Sequence, residues 1–317
     1  MAQPSDISAS GNRDVTIMPF QSRACPTCSA RNTVEEVKSA QRAERMGLDQ
    51  IRPYWSGLFK EKVFFSYDRC QNCGLLFCES FFTDDQLSDL YAEMAPNMED
   101  IPSEALNATQ RGYFEIARKS ASMDGGYLEI GPDVGYVVRL AAQQGQFDHF
   151  WLFEPNRAVH TILSNATCGR PNTISADMTD LSAVPDGSIG LALMIHVLDH
   201  LLDPISMLRQ IRAKLKPSGA LVIVTHNEAS LLRRIMGVRW PPFCLQHPQL
   251  FNPVSIRKML VEAGYGKVSV ARSRNYFPIS FMIRQAAYAT GFNLGNVLLP
   301  SFPIGLKLGN IIALART

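Results

Sequence analysis

The chain lacks a long uninterrupted apolar run. Its most apolar late stretch, residues 293–315, is broken by Pro300, Pro303, Lys307 and several glycines, so we expect no membrane span there. The first residues, MAQPSDISASGNRD, have neither a basic start nor an apolar core, which argues against a secretory signal. The net charge is only +2 over 317 residues, which by itself argues neither for nor against a nucleic-acid partner. With no internal repeat, these absences predict a soluble, cytoplasmic protein with reduced thiols.

Cysteine is scarce, and its number, seven, is odd. Four cysteines form the pairs Cys25-Pro-Thr-Cys28 and Cys70-Gln-Asn-Cys73, and the other three stand apart. In a reducing compartment this spacing favours a metal over disulfides, although disulfides and unbound core cysteines are alternatives. Zinc binds four thiolates in a tetrahedron at about 2.3 Å each, and such a closed shell is structural. A zinc ion there could contribute about 10–16 kcal/mol of apparent free energy to folding.

The composition divides the chain into four segments. Residues 1–20 are rich in Ser, Asn, Asp and Gly, so we expect them to be disordered. Residues 21–85 are predicted to form a small zinc-binding module that is framed by the cysteine pairs, since a module of this size usually needs such a staple. Residues 86–122 have helical periodicity and are predicted to form a connector that caps the substrate. Residues 123–317 are predicted to form the larger, catalytic domain.

Strand-like and helix-like stretches alternate in the larger domain. This alternation predicts an α/β fold with a parallel sheet covered on both faces. The Lys216-Pro-Ser-Gly219 stretch is predicted to be a turn, and Asp84-Asp85 is predicted to cap a helix in the connector. We expect strands over residues 127–130, 150–153, 189–195, 220–225, 267–271 and 310–315, and helices over residues 104–120, 134–143, 157–164 and 204–215, with a further helix after the cap Asn252.

A glycine loop follows the first of these strands, in the stretch Gly126-Tyr-Leu-Glu-Ile-Gly-Pro-Asp-Val-Gly135. A dinucleotide-binding loop would read G-x-G-x-x-G, but Asp133 occupies the second glycine position and Tyr136 the third. A phosphate-binding loop would end in Gly-Lys-Ser/Thr, which is also missing. The pattern that remains is an acid, Glu129, followed by glycines at 131 and 135, with Asp133 between them.

This pattern resembles the first motif of the class I S-adenosylmethionine (SAM) dependent methyltransferases, where an acid and spaced glycines follow the first strand. The resemblance continues in chain order over roughly residues 105–317. It implies a Rossmann-like, seven-stranded, doubly wound sheet, here with a small N-terminal zinc-binding module, and SAM as cofactor. It also implies that Glu129, Gly131, Asp133 and Gly135 bind SAM. Asp133 is a departure, since it replaces the family's middle glycine.

Further positions of the family's SAM site match residues later in the chain. Glu154 closes the second strand, where the family places an acid on the ribose hydroxyls, and a carboxylate can accept two hydrogen bonds from a cis-diol. Asp177 and Met178 follow the third strand, where relatives contact adenine through a polar group and an apolar flank. His196 follows the fourth strand, beside the methyl group. Enzymes that methylate amino groups of DNA and glutamine carry an Asn/Asp-Pro-Pro-Tyr/Phe box at this place, and the chain lacks it.

The cysteine module, joined to this catalytic domain, also resembles the module of the zinc-binding methyltransferases of sugar and natural-product pathways. In those enzymes the module helps to close over a small substrate. The segment Gln246-His-Pro-Gln-Leu-Phe251 is similar to their histidine-containing segment, but the His-Glu-His core of the sugar C-methyltransferases is missing. Residues 21–85 carry nine basic and nine acidic side chains, whereas a phosphate-binding surface should be clearly basic. We therefore expect a small-molecule acceptor and consider nucleic acid unfavoured.

Methyl transfer from a sulfonium mainly requires orientation of the reactants, which can contribute about 7–11 kcal/mol. A base is needed where the acceptor is a hydroxyl or a carbon acid, and histidine suits that role near neutral pH. We predict His196, His226 and His247 as catalytic candidates, although each could instead pack beside the cofactor or hold a loop. Asp199 could orient His196 or His200, or lie in a solvated turn. The pair His196 and His200 has zinc-site spacing but lacks the glutamate of the metalloprotease pattern.

The sequence thus predicts a SAM-dependent methyltransferase that acts on a small molecule, namely a sugar, a glycan precursor or a secondary metabolite, at oxygen or carbon. One alternative is an RNA methyltransferase with a zinc reader module. Another is a non-catalytic SAM-fold scaffold protein. No motif specifies the acceptor or the oligomeric state.

Overall fold

The computed structural model describes residues 20–55, 62–92, 103–280, 283–284, 297, 299–300 and 302–317. The predicted disordered segment lies outside these ranges except for its last residue. In chain order the strands are β1 (Gln21–Ser22), β2 (Thr33–Val37), β3 (Gln41–Arg42), β4 (Val63–Phe64), β5 (Tyr67–Cys70), β6 (Leu76–Phe77), β7 (Ser80–Phe81), β8 (Asp124–Ile130), β9 (Gln146–Phe153), β10 (Asn172–Ser175), β11 (Ile189–Ile195), β12 (Leu215–His226), β13 (Gln249–Leu250), β14 (Lys267–Arg272), β15 (Asn275–Pro278), β16 (Pro303–Leu306) and β17 (Asn310–Arg316).

The α-helices of the described residues include α1 (Leu48–Ile51), α2 (Asp84–Ala92), α3 (Ser103–Ser120), α4 (Tyr136–Gln144), α5 (His160–Ala166), α6 (Pro204–Lys214), α7 (Leu231–Met236) and α8 (Pro253–Glu262). The predicted caps of α8 are confirmed, since the side chain of Asn252 accepts hydrogen bonds from the N–H groups of Val254 and Ser255, both at 2.9 Å. None of the helices that the structure describes is long and apolar enough to cross a membrane.

One seven-stranded sheet organises the larger domain, in the order β10-β9-β8-β11-β12-β17-β14. Strands β10, β9, β8, β11 and β12 pair in parallel, and β17 runs antiparallel to both of its neighbours. The apolar run of β11 is buried along almost its whole length, as expected of a strand that is covered on both faces. The predicted seven-stranded α/β fold is confirmed, with one reversed strand.

Separate apolar clusters fill the two faces of this sheet. On one face Leu128 and Met194 pack with Leu208 of α6 and Ile256 of α8. On the other face the clustered residues include Tyr127 and Leu193 from the sheet and Phe114, Val138 and Leu163 from helices α3, α4 and α5. The carboxyl ends of β8, β9, β10, β11 and β12 therefore meet at one edge, where ligands of open α/β sheets bind.

The module builds its core with residues from far along the chain. Its four-stranded sheet has the order β13-β6-β5-β2, so the edge strand β13 comes from the larger domain. Trp240 and Phe243 join Phe64 and Tyr67 in one buried cluster. Residues 240–250 thus complete the core and the sheet of the module, which is too short to bury a core alone.

Two local predictions were wrong. Residues 216–219 are not a separate turn but lie within β12, where Ile189 pairs with Leu215 and Leu191 pairs with Ala220, so that the extra residues bulge from the strand. Asp84 does not cap α2. Thr83 does, because its hydroxyl accepts the N–H of Gln86 while the Gln86 side chain accepts the N–H of Thr83. This reciprocal capping box satisfies two free donors at the start of the helix.

Candidate active site

The glycine loop turns tightly between β8 and α4. Gly131 and Gly135 have φ of +68° and +77°, and Asp133 between them has φ of +50°. A Cβ added to Gly131 would lie 2.5 Å from Cγ2 of Val197, so this position has no space for a side chain. The sequence prediction placed these residues at a strand end, and the structure brings them beside the segment that follows β11.

Glu154, at the end of β9, is joined to this loop. One oxygen of its buried carboxylate accepts the N–H of Asp133 at 2.8 Å, and the other accepts the N–H of Asn156 at 2.9 Å. Burial raises the pKa of Glu154, and these two backbone donors oppose the rise. Since each carboxylate oxygen can accept more than one hydrogen bond, the group can still accept hydrogen bonds from a diol.

Glu129 lies within β8 and is almost completely buried. Burial raises the pKa of its carboxyl to about 8, and the hydroxyl of Tyr127, which donates to it, opposes the rise. The carboxyl is therefore protonated at neutral pH. It can donate a hydrogen bond in that state, which an ionised carboxylate cannot.

Asp177 and Met178 follow β10 at the same edge of the sheet. Asp177 is exposed, and its carboxylate accepts the N–H of Thr179 at 2.8 Å and the hydroxyl of the same residue at 2.7 Å. These bonds lower the pKa of Asp177. Met178 is half-buried and packs against the core. Ser175 accepts the N–H of Glu154 through its carbonyl at 2.8 Å, so the two strand ends lie side by side.

His196 follows β11 in a left-handed conformation with φ of +55°. Its Nε2 lies 3.2 Å from the amide Nδ2 of Asn310. Its Nδ1 is buried and has no hydrogen-bond partner among the described residues. Burial, with a smaller contribution from the nearby His226, lowers the pKa of the ring to about 3. This imidazole is therefore neutral at physiological pH.

Asp199 binds neither His196 nor His200 and does not lie in a solvated turn, which corrects the prediction. It is fully buried, and its Oδ2 lies 2.6 Å from Nδ1 of His226, at the end of β12. Although burial raises the pKa of Asp199, His226 holds it well below its usual range. Burial lowers the pKa of His226, and Asp199 opposes that effect. The sequence separation of 27 residues gave no local signal for this pair.

His200 and His247 extend the group. Nε2 of His200 lies 3.2 Å from Nε2 of His247, and Nδ1 of His200 lies 3.1 Å from the hydroxyl of Tyr91. Ring centres are 4.6 Å apart for His196 and His226, 5.0 Å for His226 and His247, and 4.5 Å for His247 and His200. We call these four residues the histidine array. It unites the three predicted candidates with His200, which sequence reasoning considered only as half of a zinc motif.

The other two histidines lie outside the array. His149 bonds the hydroxyl of Thr173 at 2.9 Å, and His160 lies 2.7 Å from the carbonyl of Glu154 through its Nε2. Both therefore have partners on the β9 side of the sheet.

The four predicted cysteines converge. Sγ of Cys25 lies 3.4 Å from Sγ of Cys73, and Sγ of Cys28 lies 3.6 Å from Sγ of Cys70. All four sulfurs lie within 4.8 Å of one another, and none forms a disulfide. Thiolates held at about 2.3 Å by a tetrahedral ion stand about 3.8 Å apart, so this spacing fits zinc.

The two cysteine pairs have the same backbone geometry. The N–H of Ser29 donates to the carbonyl of Cys25 at 2.8 Å, and the N–H of Gly74 donates to the carbonyl of Cys70 at 2.9 Å. Each pair thus forms the same tight turn, and the turns face each other across the four sulfurs.

The module holds the segment that carries His247. Strand β13 pairs with β6, and Arg23 donates to the carbonyl of Pro248 at 3.1 Å and to Oε1 of Gln249 at 2.9 Å. Arg69 binds Glu228 through two hydrogen bonds, at 2.6 and 3.1 Å. The module and the edge of the seven-stranded sheet are therefore directly joined beside the histidine array.

The strand order, the glycine loop and the acid at the end of β9 together define a class I methyltransferase fold. The family described as "Methyltransferase domain" matches residues 83–270, which is more than half of the chain. The chain belongs to this family and is a SAM-dependent methyltransferase. No curated protein matches the chain.

Solved structures with a similar fold include many methyltransferases. A SAM-dependent methyltransferase from Archaeoglobus fulgidus is 15% identical with a TM-score of 0.46, over 74% of this chain and 100% of that one. A putative methyltransferase of Haloferax volcanii, in complex with the Trm112 activator, is 12% identical with a TM-score of 0.49, over 68% and 93%. A putative methyltransferase from Listeria monocytogenes is 12% identical with a TM-score of 0.47, over 65% and 99%.

Proposed function

We propose that this methyltransferase transfers the methyl group of SAM to an oxygen or carbon of a small molecule, such as a sugar, a glycan precursor or a secondary metabolite. The observation that carries the proposal is the histidine array beside the glycine loop. A concentration of imidazoles at the methyl-bearing edge of the sheet suits acceptors that must lose a proton, such as hydroxyls and carbon acids. The equal numbers of acidic and basic side chains in the module favour such an acceptor over RNA.

The proposed SAM site lies along the carboxyl edge of the sheet. Glu154 accepts the ribose hydroxyls through its carboxylate, which its two backbone donors already hold in place. The remaining proposed contacts come from the loop and from the ends of the neighbouring strands, namely Glu129, Gly131, Asp133, Gly135, Asp177, Met178 and His196. When bound, SAM supplies an activated methyl group, and the protein contributes orientation.

The proposed proton acceptor is a member of the histidine array. His226 has the strongest support, since Asp199 holds its Nδ1 at 2.6 Å and thereby leaves Nε2 for the acceptor. His196 and His247 flank it as the other catalytic candidates. Nδ1 of His247 lies 2.7 Å from the carbonyl of Pro242, a contact that fits a positioned ring.

We also propose that Cys25, Cys28, Cys70 and Cys73 bind one structural zinc ion. The sulfur spacing and the matching turns of the two pairs support this. Cys28 is the exposed member of the set, so Cys28→Ser is the mildest change. We expect this variant to lose about one equivalent of zinc. An unchanged zinc content would contradict the assignment.

The test of the proposed function is calorimetric titration of the full chain with SAM, beside Glu154→Ala. Glu115→Ala is the matched control, because Glu115 lies on the exposed surface of α3. We expect the wild type and the control to bind SAM and the Glu154 variant to lose binding by more than about tenfold. A screen with labelled methyl groups then identifies the acceptor. SAM binding without transfer to any acceptor, together with a stable partner protein, would favour a scaffold.

A further inference from the structure

We propose that His196, Asp199 and His226 bind a divalent transition-metal ion, at a site distinct from the four cysteines. One ligand atom from each of these residues lies within 4.8 Å of the other two. The residues come from the ends of β11 and β12, which are adjacent strands. The inference rests on the proposed function in one respect, since it places the ion where the acceptor is expected.

Two polar atoms in this group are buried without a partner. Nδ1 of His196 and Oδ1 of Asp199 form no hydrogen bond with any residue that the structure describes. A buried polar atom that stays unpaired destabilises the folded protein, and native proteins rarely leave two together. Both atoms belong to the same three-residue group, and both are metal-ligating atom types. A bound cation satisfies them together.

The charge of Asp199 also calls for a cation. This carboxylate has no exposed surface, and buried charges are normally paired or coordinate metals. Within the described ranges its ion-pair partner is a histidine, His226, and neither a lysine nor an arginine pairs with it. The further ionisable groups that face it are His200 and His247. A divalent ion supplies the missing positive charge without requiring a charged imidazole.

The donor set defines the class of metal. Two imidazole nitrogens and one carboxylate oxygen suit zinc, iron, cobalt or manganese, and three protein ligands leave a position open for a further ligand. The left-handed backbone of His196 is strained for a residue other than glycine. That conformation brings its ring to 4.6 Å from the ring of His226.

Asn310 completes the arrangement. Coordination through Nδ1 of His196 requires a proton on Nε2, so the neighbouring amide must accept it. A half-turn of the Asn310 amide exchanges Nδ2 and Oδ1 with almost no movement of heavy atoms. The oxygen then stands at the 3.2 Å position beside Nε2. Metal-bound histidines are commonly oriented by such a second hydrogen bond.

The metal changes what His226 does. As a base, His226 must keep a ring nitrogen free for the proton. As a ligand, it gives a nitrogen to the ion, and acidification of a hydroxyl acceptor then comes from the metal acting as a Lewis acid. Metal binding thus favours a hydroxyl acceptor, because an oxygen can take the open position.

The test is a Co²⁺ titration of the full chain. The chain is first purified with zinc bound at the four cysteines and is then treated with a chelator before Co²⁺ is added. We expect about one Co²⁺ per chain with visible d–d absorption and without a thiolate charge-transfer band. Asp199→Asn and His196→Gln are expected to abolish that absorption. His149→Gln is the matched control, since His149 lies outside the histidine array. A wild type that binds no Co²⁺ beyond the cysteines overturns the proposal, and so does equal binding by all variants.

Two further measurements keep the result interpretable if a variant does not fold or if SAM does not bind. If Asp199→Asn fails to fold, Asn310→Leu is expected to weaken Co²⁺ binding by about 10–100-fold, the usual effect of removing an outer hydrogen bond. An unchanged affinity in that variant counts against the site. SAM binding is measured on the same samples. Cobalt binding without SAM binding overturns only the proposed function, whereas SAM binding without cobalt binding overturns only the metal site.

Discussion

The hydroxyl of Tyr67 donates a hydrogen bond of 2.7 Å to the backbone carbonyl of His247. Tyr67 lies on β5, three residues before Cys70, and is completely buried. A residue of the cysteine module therefore holds the backbone of the histidine array. This contact makes the module part of the framework of the candidate active site.

Removal of this hydroxyl should disturb His247 without disturbing the cysteines. We expect Tyr67→Phe to lower the free energy of unfolding by about 1–3 kcal/mol, because a buried carbonyl loses its donor. The ring signals of His247 in a histidine-labelled NMR spectrum should shift, while the zinc content stays the same. Tyr54→Phe, at a half-buried tyrosine of the same module, is the control. Identical histidine spectra for both variants would show that the bond does not position His247.

The ion pair of Arg69 and Glu228 should stabilise the contact between module and sheet. Glu228 is almost fully buried and also accepts a hydrogen bond from Asn252 at 2.6 Å. Arg69→Ala leaves this carboxylate without its cation, so we expect a loss of about 3–5 kcal/mol in the free energy of unfolding. Arg118→Ala, which breaks an exposed pair with Glu115, should leave the free energy of unfolding almost unchanged, because water and salt screen exposed charges. Urea unfolding measures both, and equal losses would contradict the expectation.

Glu129 should make stability depend on pH. Its pKa rises from 4.5 to about 8 in the folded protein, so the folded state keeps a proton that the unfolded chain releases. The stability contributed by the protonated carboxyl is fully present below about pH 4.5 and is lost as the pH rises to about 8. We therefore expect Glu129→Gln to unfold at higher urea than the wild type near pH 8 and at similar urea near pH 4.5. The control Glu115→Gln should not gain stability over the wild type as the pH rises.

Gly131 and Gly187 form a matched pair for testing the loop. Both have positive φ, +68° and +65°, but an added Cβ would meet Val197 at 2.5 Å in the first case and nothing within 4 Å in the second. Gly187→Ala should cost about 1–2 kcal/mol from backbone strain alone. Gly131→Ala should cost about 1–3 kcal/mol more through overpacking and should also weaken SAM binding. Equal losses of stability and full SAM affinity in both variants would argue against a crowded cofactor loop.

Much of the fold was predictable because its signals are local. Continuous apolar runs identified the buried strands β11 and β12, and Asn252 with Pro253 marked the start of α8 within the sequence itself. The spacing of Cys25 with Cys28, and of Cys70 with Cys73, likewise needed no tertiary information. Each of these signals depends on backbone geometry or side-chain chemistry over a few residues.

The tertiary structure alone decided which distant residues meet. Asp199 pairs with His226 across two strands, Tyr91 reaches His200 over 109 residues of chain, and Trp240 completes the core of the module. Sequence spacing cannot reveal such contacts, because they depend on strand order and on the packing of one segment against another. The sequence by itself determined the class of fold and the candidate residues. The folding of β13 onto the module and the adjacency of β11 and β12 determined the histidine array, because side chains from separate segments meet only when their backbones pair.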